Sequence, residues 1–140
     1  MDLTAAHSFV AERHNGVLAT LKRDGRPQLS NITYLWREGA AWISITAGRA
    51  KYTNLARDPR ASLHVTRDDF WGYVVLEGTA ALSPVAAAAD DATVEDLVVL
   101  YRTLRGEHPD WTEYRTAMVT ERRLVVRLAP THAYGMPGDG

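Results

Sequence analysis

The 140-residue chain contains no cysteine, which excludes disulfides, thiol nucleophiles and cysteine-held metal or iron–sulfur centres. Its N-terminus also lacks a long apolar run. The opening "MDLTAAHSFVAERHNG" carries acidic residues and reads as neither a signal peptide nor a membrane span. With no cysteine, these features point to a cytoplasmic protein. An excess of either charge is missing too: the formal net charge is −1, so no general nucleic-acid binder is expected and any anion site must be local. There is no GxGxxG, GxxxxGK[ST], HExxH, EF-hand loop or GxSxG elbow. The five histidines show no pairing at helical metal-ligand spacing, so no metal is expected. No side-chain catalytic residue can be assigned. An enzyme built on this chain would rely on a cofactor for its chemistry.

What remains is the composition of an ordinary globular domain, and the whole chain, residues 1–140, reads as one domain. Leu3, Ala6, Phe9 and Val10 mark a helix ended by Asn15-Gly16. Two strand-like runs, "GVLATL" and "PQLSNITYLW", flank "RDGR", whose Asp24-Gly25 suits a hairpin turn. In "AWISIT", Trp42, Ser44 and Thr46 share one face and Ile43 and Ile45 the other. "RASLHVT", "YVVLEGTAAL" and "RRLVVRLA" complete six expected strands, with a bulge or bend at Gly78. Thr93 is the expected cap of a helix running to Arg105 and stopped by Gly106. "DWTEYRTAMV" reads as a further short helix. The pattern lacks regular strand–helix alternation and so predicts a mainly β fold, a closed or partly closed antiparallel barrel with peripheral helices.

Three constellations carry chemistry. In "TAGRAKYTNLARDPRA" a short helix spans about Ala50 to Arg57, ended by Asp58-Pro59. Arg49 and Lys51 stand at its N-terminus, the end that repels cations. A bound phosphate would remove that conflict, with small Gly48 and Ala50 allowing close approach; the alternative is two solvated surface cations. Gln28, Ser30 and Asn31 form a polar group able to address a heterocycle, provided a bulge brings Ser30 and Asn31 together. Otherwise they serve cross-strand hydrogen bonding. Trp71 and Tyr73, two apart on an expected strand, suit stacking on a planar ligand, a subunit interface or the core.

The ordered set "GVLATLKRDGRPQLSNITY", "RAKYTNLARDPRASLHV", "YVVLEGTAAL" and "THAYGMPG" resembles the split β-barrel flavoproteins around pyridoxamine 5′-phosphate oxidase. Within them it is similar to the actinobacterial deazaflavin-dependent oxidoreductases, which use coenzyme F420. The resemblance implies a six-stranded, FMN-binding type of split barrel, assembled as a homodimer with cofactor sites at the subunit interface. It implies that Arg49 and Lys51 bind the cofactor phosphate with help from the Ala50 amide. Gln28, Ser30 and Asn31 would lie near the ring and its side chain, Ser44 and Ile45 along the ring edge. Trp71 and Tyr73 would come from the other subunit. The implied activity is hydride transfer from reduced F420 to a small or medium conjugated acceptor. FMN, serving a flavin reductase or a B6-type oxidase, is the alternative cofactor, and a non-catalytic F420 or flavin carrier the alternative role. Where pyridoxamine phosphate oxidases carry an arginine-rich C-terminal segment, this sequence has "PTHAYGMPGDG", which argues against oxidation of a B6 vitamer.

Overall fold

The computed structural model describes residues 1–138. In chain order the elements are α1 (Leu3–Ala11), β1 (Asn15–Leu21), β2 (Pro27–Thr33), β3 (Leu35–Arg37), β4 (Ala40–Thr46), α2 (Ala50–Arg57) and β5 (Arg60–Thr66), followed by β6 (Tyr73–Leu82), α3 (Ala92–Arg105), α4 (Trp111–Thr120) and β7 (Arg123–Met136). All pairings are antiparallel, in the order β2-β1-β5-β6-β7-β4-β3. The result is a mainly β half-barrel of seven strands with four helices.

Seven strands replace the six expected because the run "PQLSNITYLW" breaks at Tyr34. Its N–H donates to the His14 carbonyl at 2.7 Å and its hydroxyl to the Val10 carbonyl at 2.6 Å. The ring is fully buried. This corner lets β2 pair with β1 while β3 turns to pair with β4. The last strand runs on to Met136, well beyond "RRLVVRLA", and the register shift against β6 falls between Glu77 and Gly78. The extra residue lies in β7 and not in β6: Glu77 faces His132 while Gly78 faces Pro130. A Cβ at Gly78 would stand 2.2 Å from the Ala129 carbonyl oxygen, so close strand approach explains this glycine.

Strand β4 divides two cores. Ala41, Ile43 and Ile45 point into the barrel with Leu18, Leu63, Leu76, Leu124 and the buried face of α1. Trp42 points the other way, into a second core formed with Leu97, Val98 and Leu100 of α3 and Met118 of α4. The α3–α4 pair thus covers the outer side of β4 and β7. The cap of helix α3 lies two residues before the expected one: Asp91, not Thr93, accepts from the Val94 N–H at 2.9 Å and also binds the Ala87 and Ala88 N–H groups. Those N–H donors outweigh the cost of desolvation and hold the Asp91 carboxyl below its ordinary pKa. Thr93 is buried and donates its hydroxyl to the Pro84 carbonyl instead.

Candidate functional site

A cleft of about 630 Å³ opens where the outer face of β4, the start of α2 and the α3–α4 pair meet. This is the size range of small-molecule and cofactor sites. The alternation of β4 turns Trp42, Ser44 and Thr46 toward it, and Asn31 comes in from β2. The opposite wall is apolar and aromatic, with Leu100, Tyr101 and Leu104 from α3 and Tyr114 and Met118 from α4. Tyr101 and Tyr114 have ring centroids 5.0 Å apart, and the Tyr114 hydroxyl donates to the Leu97 carbonyl at 2.9 Å. Burial pushes the Tyr114 phenol up to about 12, so it remains a neutral donor.

The polar end of the cleft is electropositive. Arg49, Lys51 and Arg123 line it against one carboxylate, Glu121, while Arg105 lines the cleft from the end of α3, beside Tyr101 and Leu104. Of these cations Arg123 has a carboxylate partner among the described residues: it pairs with Glu121 at 3.0 Å and donates to the Ser44 hydroxyl at 3.2 Å. Helices α1, α3 and α4 begin on aspartates whose side chains accept backbone N–H groups, whereas α2 begins on Arg49, whose side chain makes no capping bond. The α2 N-terminus therefore keeps free N–H dipoles beside two cations, an arrangement that an anion completes. Lys51 registers the crowding. Desolvation, then the charges of Arg49 and Arg123, lower its pKa.

Of the residues singled out in the sequence, Asn31, Ser44, Ile45, Arg49 and Lys51 line this cleft, and Ala50 sits between the two cations as the first residue of α2. Gln28 and Ser30 do not line it. The β1–β2 register runs unbroken from Asn15↔Thr33 to Leu21↔Pro27, so no bulge brings Ser30 round to Asn31. Gln28 and Ser30 instead join a network on the other face. Gln28 donates to Ser30 and accepts from Thr20, Asn54 donates to Thr20 at 3.1 Å, and Arg57 donates to Asn54 at 3.0 Å. Thr20 and Asn54 are buried, and this network fixes α2 against β1. Trp71 and Tyr73 lie elsewhere. Trp71 precedes β6 in a turn closed by Arg67 and Gly72, so the two aromatics do not alternate along one strand. At 83% exposure Trp71 is no core residue.

Arg105 and Arg123 escaped the sequence reading, as did the aromatic wall. Arg123 had one signal, a cation at the start of a strand whose next outward residue, Val125, is buried against the α3–α4 layer. Arg105 had the helical spacing of Leu100, Tyr101, Leu104 and Arg105 on one face. No group of metal-ligating side chains occurs among the described residues, and no described helix is long and apolar enough to cross a membrane.

The family model for pyridoxamine 5′-phosphate oxidase matches residues 3–136. The chain belongs to this family. Solved structures share the fold at low identity. A conserved hypothetical protein of Mycobacterium tuberculosis superposes with a TM-score of 0.74 at 24% identity, covering 98% of this chain and 85% of that one. A protein described as an F420 reductase gives 0.70 at 21% identity, covering 91% and 94%. An FAD-binding protein of Mesorhizobium loti gives 0.70 at 15% identity, covering 100% and 96%.

Proposed function

We propose that the protein is a coenzyme F420-dependent oxidoreductase acting on a small or medium conjugated organic acceptor. The observation that carries this reading is the cleft's electropositive end, where Arg49 and Lys51 flank an uncapped helix start. The donor set fits a phosphate: a planar guanidinium, an ammonium and the free N–H of Ala50. Asn31 and Ser44 supply amide and hydroxyl groups for a polar ring edge, and Ile45, whose side chain points into the barrel, borders the cleft beside them. Arg123, held by Glu121 and Ser44, keeps a fixed positive charge near the same end. When bound, the deazaflavin would supply the hydride. The protein's part is to hold the ring, exclude water and present an acceptor along the aromatic wall. The neighbour described as an F420 reductase supports this choice.

FMN is the second reading, in a flavin reductase, a B6-type oxidase or a carrier. The α2 cations would serve its phosphate equally, and one neighbour is described as FAD-binding.

A homodimer with shared sites belongs to the same proposal. Cross-strand neighbours place Asn31, Val17, His64, Val75 and Tyr134 in one row on the outer face of the sheet. That row runs from the cleft to an exposed apolar patch containing Trp71, Tyr134 and Met136. A second copy covering the patch would bring its own side chains toward the cleft, the role proposed for Trp71 and Tyr73. Saturable binding of F420, followed by acceptor-dependent oxidation of reduced F420 with a panel of enones, tests the reading. Failure to bind F420 would refute it, and binding with no turnover would make the protein a carrier.

A further inference from the structure

We infer that the acceptor is a planar conjugated carboxylate whose acid group is held by Arg105; this deepens the reading above and rests on it. The four cations of the cleft have different partners. Arg123 is paired with Glu121, and Arg49 and Lys51 converge on the start of α2. Arg105 comes from a different element, as the last residue of α3, the helix that carries Tyr101 and Leu104, and forms no ion pair among the described residues. Its neighbour Glu107 is engaged by Arg102 at 3.0 Å, and Arg105 itself lines the cleft. A guanidinium presents two parallel N–H donors that match the two oxygens of a carboxylate.

The surface beside it defines the rest of the molecule. Tyr101 and Leu104 precede Arg105 on the same helix face, and Tyr114 and Met118 complete the wall from α4. Tyr101 is fixed by rings on three sides, with His108, Trp111 and Tyr114 at centroid distances of 5.2, 5.8 and 5.0 Å. A flat hydrocarbon body packs on such a wall, and a carboxylate at its end reaches the guanidinium. A phosphate group fits this wall less well, because the clustered cations and free N–H groups that suit it lie at the α2 end.

trans-Cinnamate and its neutral amide, cinnamamide, are the probes. Each is titrated against the intact protein by intrinsic fluorescence, without cofactor and again with saturating F420. Cinnamate should bind about tenfold more tightly than the amide, the scale of one charge-assisted pair. Arg105→Gln should remove that preference while leaving F420 affinity unchanged. Equal affinities for acid and amide, binding of neither, or a preference that survives Arg105→Gln would overturn the inference. A loss of F420 affinity in Arg105→Gln would also overturn it, by assigning this residue to the cofactor. Failure of the cofactor reading is seen separately, as no F420 binding by the unaltered protein, with the acid–amide comparison on cofactor-free protein still deciding the role of Arg105.

Discussion

Lys51→Ala separates binding from folding because it should push the two in different directions. In the free protein the ammonium is half-buried near Arg49 and Arg123, and desolvation and those charges lower its pKa. Removing it relieves like-charge crowding, so the unliganded protein should keep its stability within about 0.5 kcal/mol. With phosphate bound, the same ammonium makes a charge-assisted hydrogen bond worth about 1.5–3 kcal/mol. Its loss should raise the F420 dissociation constant by about 10- to 150-fold. The pH dependence follows from linkage. An anion beside Lys51 raises its pKa, so binding takes up a proton wherever the free protein has begun to lose it. Affinity should therefore fall as pH climbs through the lowered Lys51 pKa, and Lys51→Ala should flatten that limb. Fluorescence titration across pH, paired with urea unfolding of the unliganded protein, reads both quantities. An unchanged dissociation constant would remove Lys51 from the anion site. A loss of affinity matched by an equal loss of stability would mean general damage instead.

The buried network beneath α2 should be costly to break: Asn54→Leu removes the amide that donates to the Thr20 hydroxyl and accepts from Arg57, leaving them only their bonds to Gln28 and the Leu21 carbonyl, and should cost about 1–3 kcal/mol in urea unfolding. A change below about 0.5 kcal/mol would show that the network does not hold the helix. Asp91→Ala should lower stability by about 1–2 kcal/mol through loss of the α3 cap, and no loss would return the capping role to another group. Light scattering at micromolar concentration should give twice the 15.5 kDa chain mass, and a monomer would end the shared-site proposal.

The strands were legible wherever one face alone was buried. Trp42, Ser44 and Thr46 against Ile43 and Ile45 revealed both the strand and its two surroundings, although not that the outer one is a second core beneath α3 and α4. The Arg49–Lys51 pair was legible because it contradicts helix electrostatics, and such a conflict within a few residues survives without tertiary information. The corner at Tyr34 was not legible, since its cause is two hydrogen bonds to the carbonyls of His14 and Val10, 20 and 24 residues earlier. For the same reason Gln28 and Ser30 were assigned beside Asn31: strand alternation puts them on opposite faces, and only the unbroken β1 register excludes the bulge that would have joined them. Arg105 and Arg123 enter the same cleft as the α2 cations through packing of α3 and β7 against β4, a juxtaposition set by topology and not by spacing.

Parallel titrations with F420 and FMN at low and physiological salt decide which cofactor the cleft is built for. F420 carries a phosphate and a tail of carboxylates, whereas FMN ends at its phosphate. Charges reaching exposed cations are screened over about 8–10 Å at physiological ionic strength. F420 should be preferred at low salt, and its affinity should fall more steeply than that of FMN as salt is added. Tight, salt-insensitive FMN binding with no binding of F420 would contradict the F420 reading.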